Sequence, residues 1–437
     1  MALSGKISFF CFWDIQPMWY SGIQPNEKKK RPGLNPSGRR MFHFIFSALN
    51  FSLDTKEKKI KILLLLLVLI LKKNLKRKMD VIPPIDRGLL KAELTEDRFV
   101  RPTNKGNNEI YIITAHDSPN VMLEIGRLRE LAFRSWGGGT GNEVDTDDFD
   151  FLEKPFKQLI VWDSEAQEIV GGYRFLSGRD VALLPDGQPN FVMSHLFTFS
   201  EKFIKNYLPY SIELGRAFVQ PDYQTAKMGT KSLFALDNLW DGLGALIHTE
   251  KKSKYFIGKV NIYNTYPQLA RELLYEYMFL HCADPERLIY PKNPVQVSEE
   301  SKKIAKVILT EKKADANYKA LQKTIRHIGT TIPPMFNAYI GLTDTLRMFG
   351  TMIDPDFGGT YESAIMLRMD DLTESKRQRY IDPYISYLKQ KINEKRAARI
   401  AVKLAREKEE VPSKMKQATR DFLEKRKRKK GDNNEQK

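Results

Sequence analysis

A carboxylate and a guanidinium stand three residues apart in one short apolar segment, at Glu213 and Arg216. The apolar pattern of residues 211–219 predicts a strand, and residues 221–223 after it predict a turn that leads into a helix. A carboxylate in apolar surroundings can act as a general base, and a guanidinium can bind a carboxylate through two hydrogen bonds. The alternative is a structural ion pair between Glu213 and Arg216 at the end of a strand.

Three further polar features stand out from the apolar pattern around them. Trp136 precedes a glycine-rich stretch, an acidic run contains Asp147 and Asp150, and Arg174 lies among glycine and aromatic residues. Each has a plain structural explanation, because a tryptophan often belongs to the core, an acidic run is usually a solvated loop, and an arginine can pair with that loop. With Glu213 and Arg216 they are the polar groups from which a site can be built.

Several common sites are not supported by the sequence. Residues 229–232 resemble the end of a phosphate-binding loop but lack its earlier glycine, and no G-x-S-x-G, H-E-x-x-H or H-x-x-x-x-D motif is present. Cys11 and Cys282 have no metal-ligand spacing, so no metal is predicted, and two cysteines suit a reducing cytosol. Hydrolase, kinase and zinc protease activities are therefore not predicted.

The net charge of +17 is concentrated at the two ends of the chain. Residues 1–78 carry +12 and residues 372–437 carry +11, which leaves −6 for residues 79–371. Basic ends alone would allow a nucleic-acid-binding protein, but the acidic middle and the lack of a recognised binding motif make nucleic acid an unfavoured partner. The tail 372–437 is predicted to be a basic helix that either contacts an anionic membrane or only keeps the chain in solution.

The first 78 residues lack steady periodicity, whereas regular patterning begins soon after Met79. Met79 is therefore our hypothesis for the natural start, with residues 1–78 as a doubtful extension. The apolar run 62–71 is too short to cross a bilayer and is not placed like a signal peptide. The alternative for this run is an anchor that dips into a membrane surface between its lysines.

The remaining pattern alternates helices and strands around an antiparallel meander, which predicts an α/β or α+β fold. A turn at 163–167 should join two strands as a hairpin. Predicted strands span 156–162, 169–175, 211–219, 255–263 and 360–369. Predicted helices span 120–134, 228–248, 267–282 and about 303–328, with a long helix after 372.

The polar residues follow one another in a distinctive order. They comprise Arg129 and Phe133 on a helix, Trp136, D-x-F-D at 147–150, G-x-Y-R at 171–174 and E-x-x-R at 213–216. This series resembles the acyl-homoserine-lactone synthase branch of the GNAT acyltransferase superfamily. Within it, the form of residues 213–223 is similar to that of the hemolysin-named N-acyltransferases that make ornithine lipids and glycine lipids. The resemblance covers about 121–372, a GNAT-like domain within 79–371.

The resemblance implies a GNAT-like central mixed, largely antiparallel sheet, flanked by helices, in which two neighbouring strands splay apart around a thioester. The implied reaction moves a long acyl group, plain or 3-hydroxylated, to the α-amine of glycine or ornithine. Amine attack needs a route for a proton and stabilisation of an oxyanion. Glu213 is the candidate for the proton; Arg174 and Arg216 would hold the acidic groups or bind a substrate carboxylate. Asp147 and Asp150 would attract the acceptor's ammonium group, and Trp136 would cap the pocket.

The donor side is predicted at the end of the central strand and the start of the next helix, where backbone amides can meet a phosphate. Its candidate residues are Val219, Lys227, Gly229, Thr230 and Lys231. The usual GNAT coenzyme motif is not matched after Gln224, which favours an acyl-phosphopantetheine donor on acyl carrier protein over acetyl-coenzyme A, with acyl-coenzyme A left open. No permanently bound cofactor is expected.

Carrier proteins are acidic, so a basic landing patch is predicted at Lys227, Lys231, Lys251, Lys252 and Lys254, with a solvated helix face as the alternative. Met335 and Tyr339 are assigned to packing, or to the wall of an acyl-chain pocket. The predicted location is cytoplasmic, with peripheral contact at the inner face of the membrane. A signal synthase that also closes a lactone is the neighbouring alternative, although nothing in the sequence indicates that second step.

Overall fold

The computed structural model describes residues 79–225 and 228–432, without the side chains of 405–415 and 426–432. The doubtful extension 1–78, its leucine run and Lys227 lie outside the described residues. The chain divides after Lys76 into two units, and every feature described below belongs to the second, Arg77–Lys437.

In the described part of the chain, eight strands form a central sheet and two short ones form a separate ribbon. The strands are β1 Phe99–Pro102, β2 Glu109–Ile113, β3 Lys157–Asp163, β4 Glu168–Ser177, β5 Phe197–Phe199, β6 Ser211–Val219, β7 Tyr255–Ile262, β8 Ile289–Pro291, β9 Arg347–Asp354 and β10 Thr360–Arg368. The central order is β1-β2-β3-β4-β6-β7-β10-β9, and β6 and β7 are its parallel pair. The predicted fold class, a mixed and largely antiparallel sheet flanked by helices, is confirmed.

The helices cover both faces of this sheet. They are α1 Arg87–Glu93, α2 Pro119–Arg134, α3 Glu201–Asn206, α4 Thr230–Thr249, α5 Gln268–Cys282, α6 Glu299–Ile308, α7 Ala314–His327, α8 Pro334–Ile340, α9 Glu374–Tyr380 and α10 Asp382–Asp432. Within residues 79–225 and 228–432, no helix combines the length and the apolar character that a membrane crossing needs.

The alternation of side chains along the strands sorts the core onto the two faces. On one face, Phe256 and Val260 of β7 pack with α4 and α5 in the largest apolar cluster. On the other face there are two separate apolar clusters, one beneath α2 that includes Phe218, and one beneath α3 that includes Ile257. Polar residues occupy the space between those two clusters, and the site is there.

Strands β6 and β7 are joined over only part of their length. Their parallel register runs from Ser211 beside Tyr255 to Leu214 beside Gly258 and then ends. A Cβ atom at Gly258 would lie 2.6 Å from the carbonyl oxygen of Leu214, so glycine permits the close approach at the last paired position. Beyond it β6 continues to pair with β4, and β7 continues to pair with β10. The two strands therefore diverge and leave a gap through the sheet.

The predicted hairpin between β3 and β4 is present, and its turn shows why. The Oδ1 atom of Asp163 accepts hydrogen bonds from the backbone N–H groups of Glu165 at 3.1 Å and Ala166 at 3.0 Å. Such a turn is favoured by aspartate because its side chain satisfies the backbone locally. The register then places Leu159 beside Tyr173 and Gln158 beside Arg174.

Two helix predictions need correction. The single helix expected at 303–328 is two helices, α6 and α7, because the chain turns away from helical geometry at Leu309, whose φ and ψ are −98° and 64°. The Asn317 side chain accepts a hydrogen bond from the backbone N–H of Glu311 and donates one to the carbonyl oxygen of Glu311, in the segment between the two helices. The tail also begins with a separate short helix, α9. Its Tyr380 is buried, and the Tyr380 hydroxyl donates a hydrogen bond to Asp237 of α4. The start of the predicted tail is therefore part of the packed domain.

Candidate functional site

The gap between β6 and β7 opens into one continuous cavity that reaches both faces of the sheet. Its polar side is lined by Phe133, Phe156, Arg174, Glu213, Arg216, Lys259, Asn261, Phe357 and Glu362. Its apolar side lies beneath α4 and α8 and is lined by Tyr173, Leu236, Leu239, Trp240, Leu243, Phe256, Val260, Met335, Tyr339, Ile365 and Leu367. The cavity thus joins a charged compartment on one face of the sheet to an apolar compartment on the other. Met335 and Tyr339 contribute to its wall as well as to packing.

Glu213 stands where the gap begins, one residue before the last paired position of β6. Its carboxylate accepts hydrogen bonds from the backbone N–H groups of Val192 at 3.1 Å and Met193 at 2.8 Å. The side chain is buried, and this burial outweighs the two hydrogen bonds and the nearby charge of Arg174, raising the pKa of Glu213 to about 7. A carboxylate with that pKa can take up and release a proton near neutral pH.

Arg216 does not pair with Glu213, so the interpretation of these two residues as an ion pair is wrong. Its Nε atom lies 3.0 Å from Asp145, one Nη lies 3.9 Å from Asp147, and its guanidinium covers the ring of Phe357 at 4.4 Å. The register between β4 and β6 shifts beside Arg216, whose φ is +52°. This left-handed backbone is costly for a residue with a side chain, by roughly 1–3 kcal/mol, and it turns Arg216 toward the acidic loop.

Arg174 binds the acidic loop more tightly than any other cation of the site. Its two Nη atoms each lie 2.7 Å from one oxygen of Asp147, and Nη1 also lies 3.0 Å from Asp150. Burial alone would raise the pKa of Asp147, but the hydrogen bonds and charge of Arg174 lower it to about 2. Asp147 and Asp150 are therefore both occupied by protein groups, which argues against their predicted contact with an acceptor's ammonium group.

Asp150 is enclosed on all sides by the protein. It is 0% exposed, and it faces Arg129 at 3.5 Å and the side-chain amide of Gln158 at 2.9 Å in addition to Arg174. Burial lowers the pKa of Arg129 to about 10, although the charge of Asp150 opposes that effect. Three arginines and three aspartates, counting Asp145 and Arg216, thus form one balanced charge network beside the cavity.

Trp136 lies on the surface rather than over the cavity. Its side chain is 57% exposed, stacks on Tyr263 with ring centres 6.4 Å apart, and donates from Nε1 to Gln224 at 3.1 Å. Gln224 in turn donates to the carbonyl oxygen of Val219 at 2.6 Å. Trp136 therefore stands beside the predicted donor side, and its capping role stays a prediction.

The start of α4 presents the predicted donor residues. Gly229 precedes the helix with φ +57°, a conformation that glycine adopts without strain, and Thr230 is the first helical residue. Lys231 is committed to the β3–β4 hairpin, since its Nζ atom lies 2.6 Å from Asp163 and 3.0 Å from Glu165. The backbone amides of this helix start remain suitable for a phosphate, whereas the Lys231 ammonium already has anionic partners.

The basic landing patch is not one surface. Lys231 lies in the first turn of α4, while Lys251, Lys252 and Lys254 follow its end at Thr249. A helix of 20 residues is about 30 Å long at 1.5 Å per residue, which separates the two groups. The prediction of a single patch is therefore wrong, and the two ends of α4 must be considered separately.

The structure adds cavity residues that the sequence did not single out. Lys259 and Asn261 follow the gap on β7, and Glu362 faces them from the neighbouring strand β10. The Lys259 ammonium lies 3.5 Å from Asp354 and 3.7 Å from Glu362. A lysine inside an otherwise apolar strand was a signal available in the sequence, but its partners come from a distant part of the chain.

Among the described residues, no three or more histidine, cysteine, aspartate or glutamate side chains are grouped so as to hold a metal ion. His195 contacts Asp354 through Nε2 at 3.2 Å and so lies beside the group formed by Lys259, Asp354 and Glu362.

Comparisons with known proteins agree with this architecture. Residues 128–232 match the acetyltransferase (GNAT) domain family. A glycine N(alpha)-acyltransferase of Phocaeicola vulgatus is 47% identical over 306 residues, which cover 70% of this chain and 94% of that protein. A glycine N(alpha)-acyltransferase of Bacteroides thetaiotaomicron is 49% identical over 306 residues, 70% of this chain and 90% of that protein. No solved structure gives a significant match.

Proposed function

We propose that this chain, which belongs to the GNAT acyltransferase family of those two glycine N(alpha)-acyltransferases, transfers a long fatty acyl group from acyl carrier protein to the α-amine of glycine. Its relatives and its GNAT domain identify it as an N-acyltransferase. The observation that carries the proposal is the position of Glu213, a buried carboxylate at the point where a charged compartment and an apolar compartment meet. The names of the relatives favour glycine over ornithine.

The acyl chain is assigned to the apolar compartment beneath α4 and α8. Burying an acyl chain there contributes about 0.8 kcal/mol for each CH₂ group, which favours a long donor over an acetyl group. The thioester would then lie in the gap, and the phosphopantetheine arm would run along β6 toward the start of α4 at Thr230. Because β7 no longer pairs with β6 beyond Leu214, backbone groups of β6 that face the gap are available to the donor.

In the proposed reaction, Glu213 takes a proton from the attacking amine. The nitrogen forms a bond to the thioester carbon, the C–S bond breaks, and the proton taken by Glu213 is passed to the departing sulfur. The pKa of about 7 suits both transfers, because the same group must accept the proton and then give it up. No bound metal or cofactor is needed to balance these steps.

Arg174 and Arg216 are assigned to positioning in this mechanism. Their guanidinium groups are bound by Asp145, Asp147 and Asp150, so they hold the acidic loop against β4 and β6. Of the two roles that the sequence left open for them, this arrangement supports the charge network. The Arg216 guanidinium also lies 4.4 Å from the centre of the Phe357 ring, and both residues line the polar side of the cavity.

The function is tested by expressing the full chain in a bacterium that makes no aminolipids and analysing its lipids by mass spectrometry. A new N-acylglycine is expected, and it should be absent when Glu213 is changed to glutamine. In vitro, the purified chain should use acyl carrier protein thioesters more efficiently than the same acyl group on coenzyme A. If the chain is produced in folded form with carrier protein available and no N-acyl amino acid forms, the proposal is wrong.

The rate of the chemical step should depend on the ionisation of Glu213. Burial raises the pKa of Glu213 from 4.5 to about 7, and only the ionised form can accept a proton, so kcat at saturating glycine should rise as the pH passes through about 7. The residual rate of the Glu213→Gln variant should lack this inflection. A wild-type profile that is flat between pH 6 and pH 8 would contradict the role of Glu213 as the base.

The same raised pKa has the opposite effect on stability. The folded protein holds the Glu213 proton more tightly than the unfolded chain, so this group contributes stability below pH 4.5 that is lost as the pH rises through about 7. Activity and stability therefore respond to Glu213 in opposite directions over one range of pH. Denaturation of the wild type and of Glu213→Gln at pH 5 and pH 8 measures this contribution.

Contact with a membrane is part of the proposal because a long-chain product partitions into lipid. The residues 372–437 carry +11, and a basic helix such as α10 is attracted to anionic lipid by about 1 kcal/mol for each lysine or arginine near the surface. This charge supports peripheral association at a cytoplasmic membrane face, which stays a prediction.

A further inference from the structure

We propose that Lys259 recognises the α-carboxylate of the amino-acid acceptor, and that Asp354 and Glu362 position its ammonium group for that purpose. This inference rests on the proposed function, since it assigns the acceptor part of the same cavity. It adds a specificity-determining residue that neither the sequence pattern nor the relatives' names indicate.

The backbone places Lys259 opposite Glu213 across the start of the gap. Glu213 is paired in register with Ile257, and Lys259 is two residues further along β7, so both side chains project from the same face of the sheet. Both line the cavity, each on one of the two diverging strands. An acceptor between the strands can therefore reach Glu213 with one end and Lys259 with the other.

The Lys259 ammonium group is held by charge but not by short hydrogen bonds. Its side chain is 11% exposed, and its distances of 3.5 Å to Asp354 and 3.7 Å to Glu362 exceed those of good N–H···O bonds. Within the described part of the chain, no hydrogen bond from its Nζ atom is found. An ammonium carries three donors, and the partly exposed side chain of Lys259 leaves them accessible to an oxygen ligand that enters the cavity.

The other cations that line the cavity are committed to the acidic loop. Arg174 gives both Nη atoms to Asp147 and Asp150, and Arg216 is bound by Asp145. A carboxylate that approached either arginine would have to compete with a buried aspartate. Among the cavity-lining cations described, Lys259 is the furthest from its nearest carboxylate, at 3.5 Å against 2.7 Å for Arg174 and 3.0 Å for Arg216, and is the best placed to receive a new carboxylate.

The two acids beside Lys259 are themselves fixed. Glu362 Oε1 accepts from the hydroxyl of Thr360 at 2.8 Å, and Asp354 accepts from the backbone N–H of Asp356 at 3.0 Å and contacts His195 at 3.2 Å. Burial would raise the pKa of Asp354, but His195 and Lys259 lower it to about 2, so the carboxylate stays ionised. The Lys259 ammonium group is thereby held in place at the edge of the cavity.

This arrangement defines the class of acceptor. An α-amino acid has one carbon between its amine and its carboxylate, so binding the carboxylate at Lys259 directs the amine back toward Glu213 and the thioester in the gap. A simple amine lacks the group that Lys259 binds and should be a poor acceptor. The inference thus explains selection of an amino acid over other cellular amines through one charge-assisted contact.

The test compares glycine with glycinamide, which has the amine but no carboxylate, as acceptors of a palmitoyl group from acyl carrier protein. For the full chain, Lys259→Met should lower kcat/KM for glycine by about 10- to 100-fold, the effect of losing one charge-assisted hydrogen bond, mainly through KM. The kcat/KM of Lys259→Met for glycinamide should differ from that of the wild type by less than about threefold. Lys259→Arg, which keeps the charge, should restore part of the preference for glycine, and Lys319→Met, at an exposed position of α7, serves as the matched control.

The outcomes separate this inference from the proposed function. Equal losses for glycine and glycinamide, or unchanged KM for glycine, would show that Lys259 does not bind the carboxylate, even if wild-type protein makes N-acylglycine. A wild type that acylates neither acceptor would overturn the proposed function and this inference with it. If Lys259→Met does not fold, Lys259→Gln is measured in the same way. Failure of both to fold would make Lys259 a structural cation and the inference wrong.

Discussion

Replacing Glu213 by glutamine should lower kcat by about 10²- to 10⁴-fold, the usual contribution of a general base. Glutamine has nearly the same shape but cannot take a proton from the attacking amine. Its side-chain oxygen can still accept from the backbone N–H of Met193, and the buried negative charge is removed, so the fold should be retained. Single-turnover rates with an acyl carrier protein thioester and glycine measure the effect directly.

A suitable control is a glutamate that is equally buried but lies outside the cavity. Glu272 is 3% exposed, against 2% for Glu213, and accepts from the backbone N–H of Ser298 at 3.1 Å. Glu272→Gln makes the same substitution at a side chain of similar exposure outside the cavity and should leave kcat within about threefold of the wild type. Full activity in Glu213→Gln would remove Glu213 from proton transfer while leaving the family assignment untouched.

Replacing Arg174 by methionine should have the largest effect on stability. The change leaves Asp147 and Asp150 without their principal partner, and Asp150 is fully buried. Removing one partner of a buried ion pair costs about 3–5 kcal/mol, which is a large part of the stability of an ordinary domain. Denaturant unfolding of the full chain should show this loss, and N-acyltransferase activity should fall as the acidic loop loses its anchor.

Arg179 provides the comparison, since it lies just beyond β4 on the surface. Its guanidinium pairs with Glu250 at 3.0 Å and its side chain is 34% exposed. Exposed pairs contribute about 0–1 kcal/mol, so Arg179→Met should hardly change the unfolding free energy. Arg174→Lys keeps the charge but loses the two-pronged contact with Asp147. Its free energy of unfolding should therefore lie between those of Arg174→Met and Arg179→Met. Equal unfolding free energies for Arg174→Met and Arg179→Met would contradict the account of the charge network.

The sequence was sufficient for features that depend on neighbouring residues. The strand 211–219 and the turn at Asp163 follow from local alternation and turn chemistry, and both occur as predicted. Of the polar residues in the predicted order, Arg174, Glu213 and Arg216 line the cavity, whereas Trp136 lies on the surface. The sequence did not predict the partners of these residues, because Glu213 is bound by Val192 and Met193, which reach it through an irregular segment without a recognisable pattern.

The partners of Arg216 and Lys259 depend instead on how strands far apart in the sequence pair with one another. Whether Arg216 faces Glu213 or Asp145 depends on a bulge opposite β4, and the left-handed backbone at an arginine has no signature in residue type. Lys259 gains its meaning only when β10 places Glu362 beside it. The separation of the lysines at the two ends of α4 follows from the length of that helix.

The gap between β6 and β7 has a consequence for the order of events in the catalytic cycle. In the proposed reaction the acyl chain and the amino acid occupy opposite faces of the sheet, so neither substrate blocks the entry of the other, and both can be present together before any bond is made. Once the amide has formed, however, a single molecule passes through the sheet with its tail on one face and its headgroup on the other. That product can leave only lengthwise, so its acyl tail must be withdrawn through the gap before the next pair of substrates can bind.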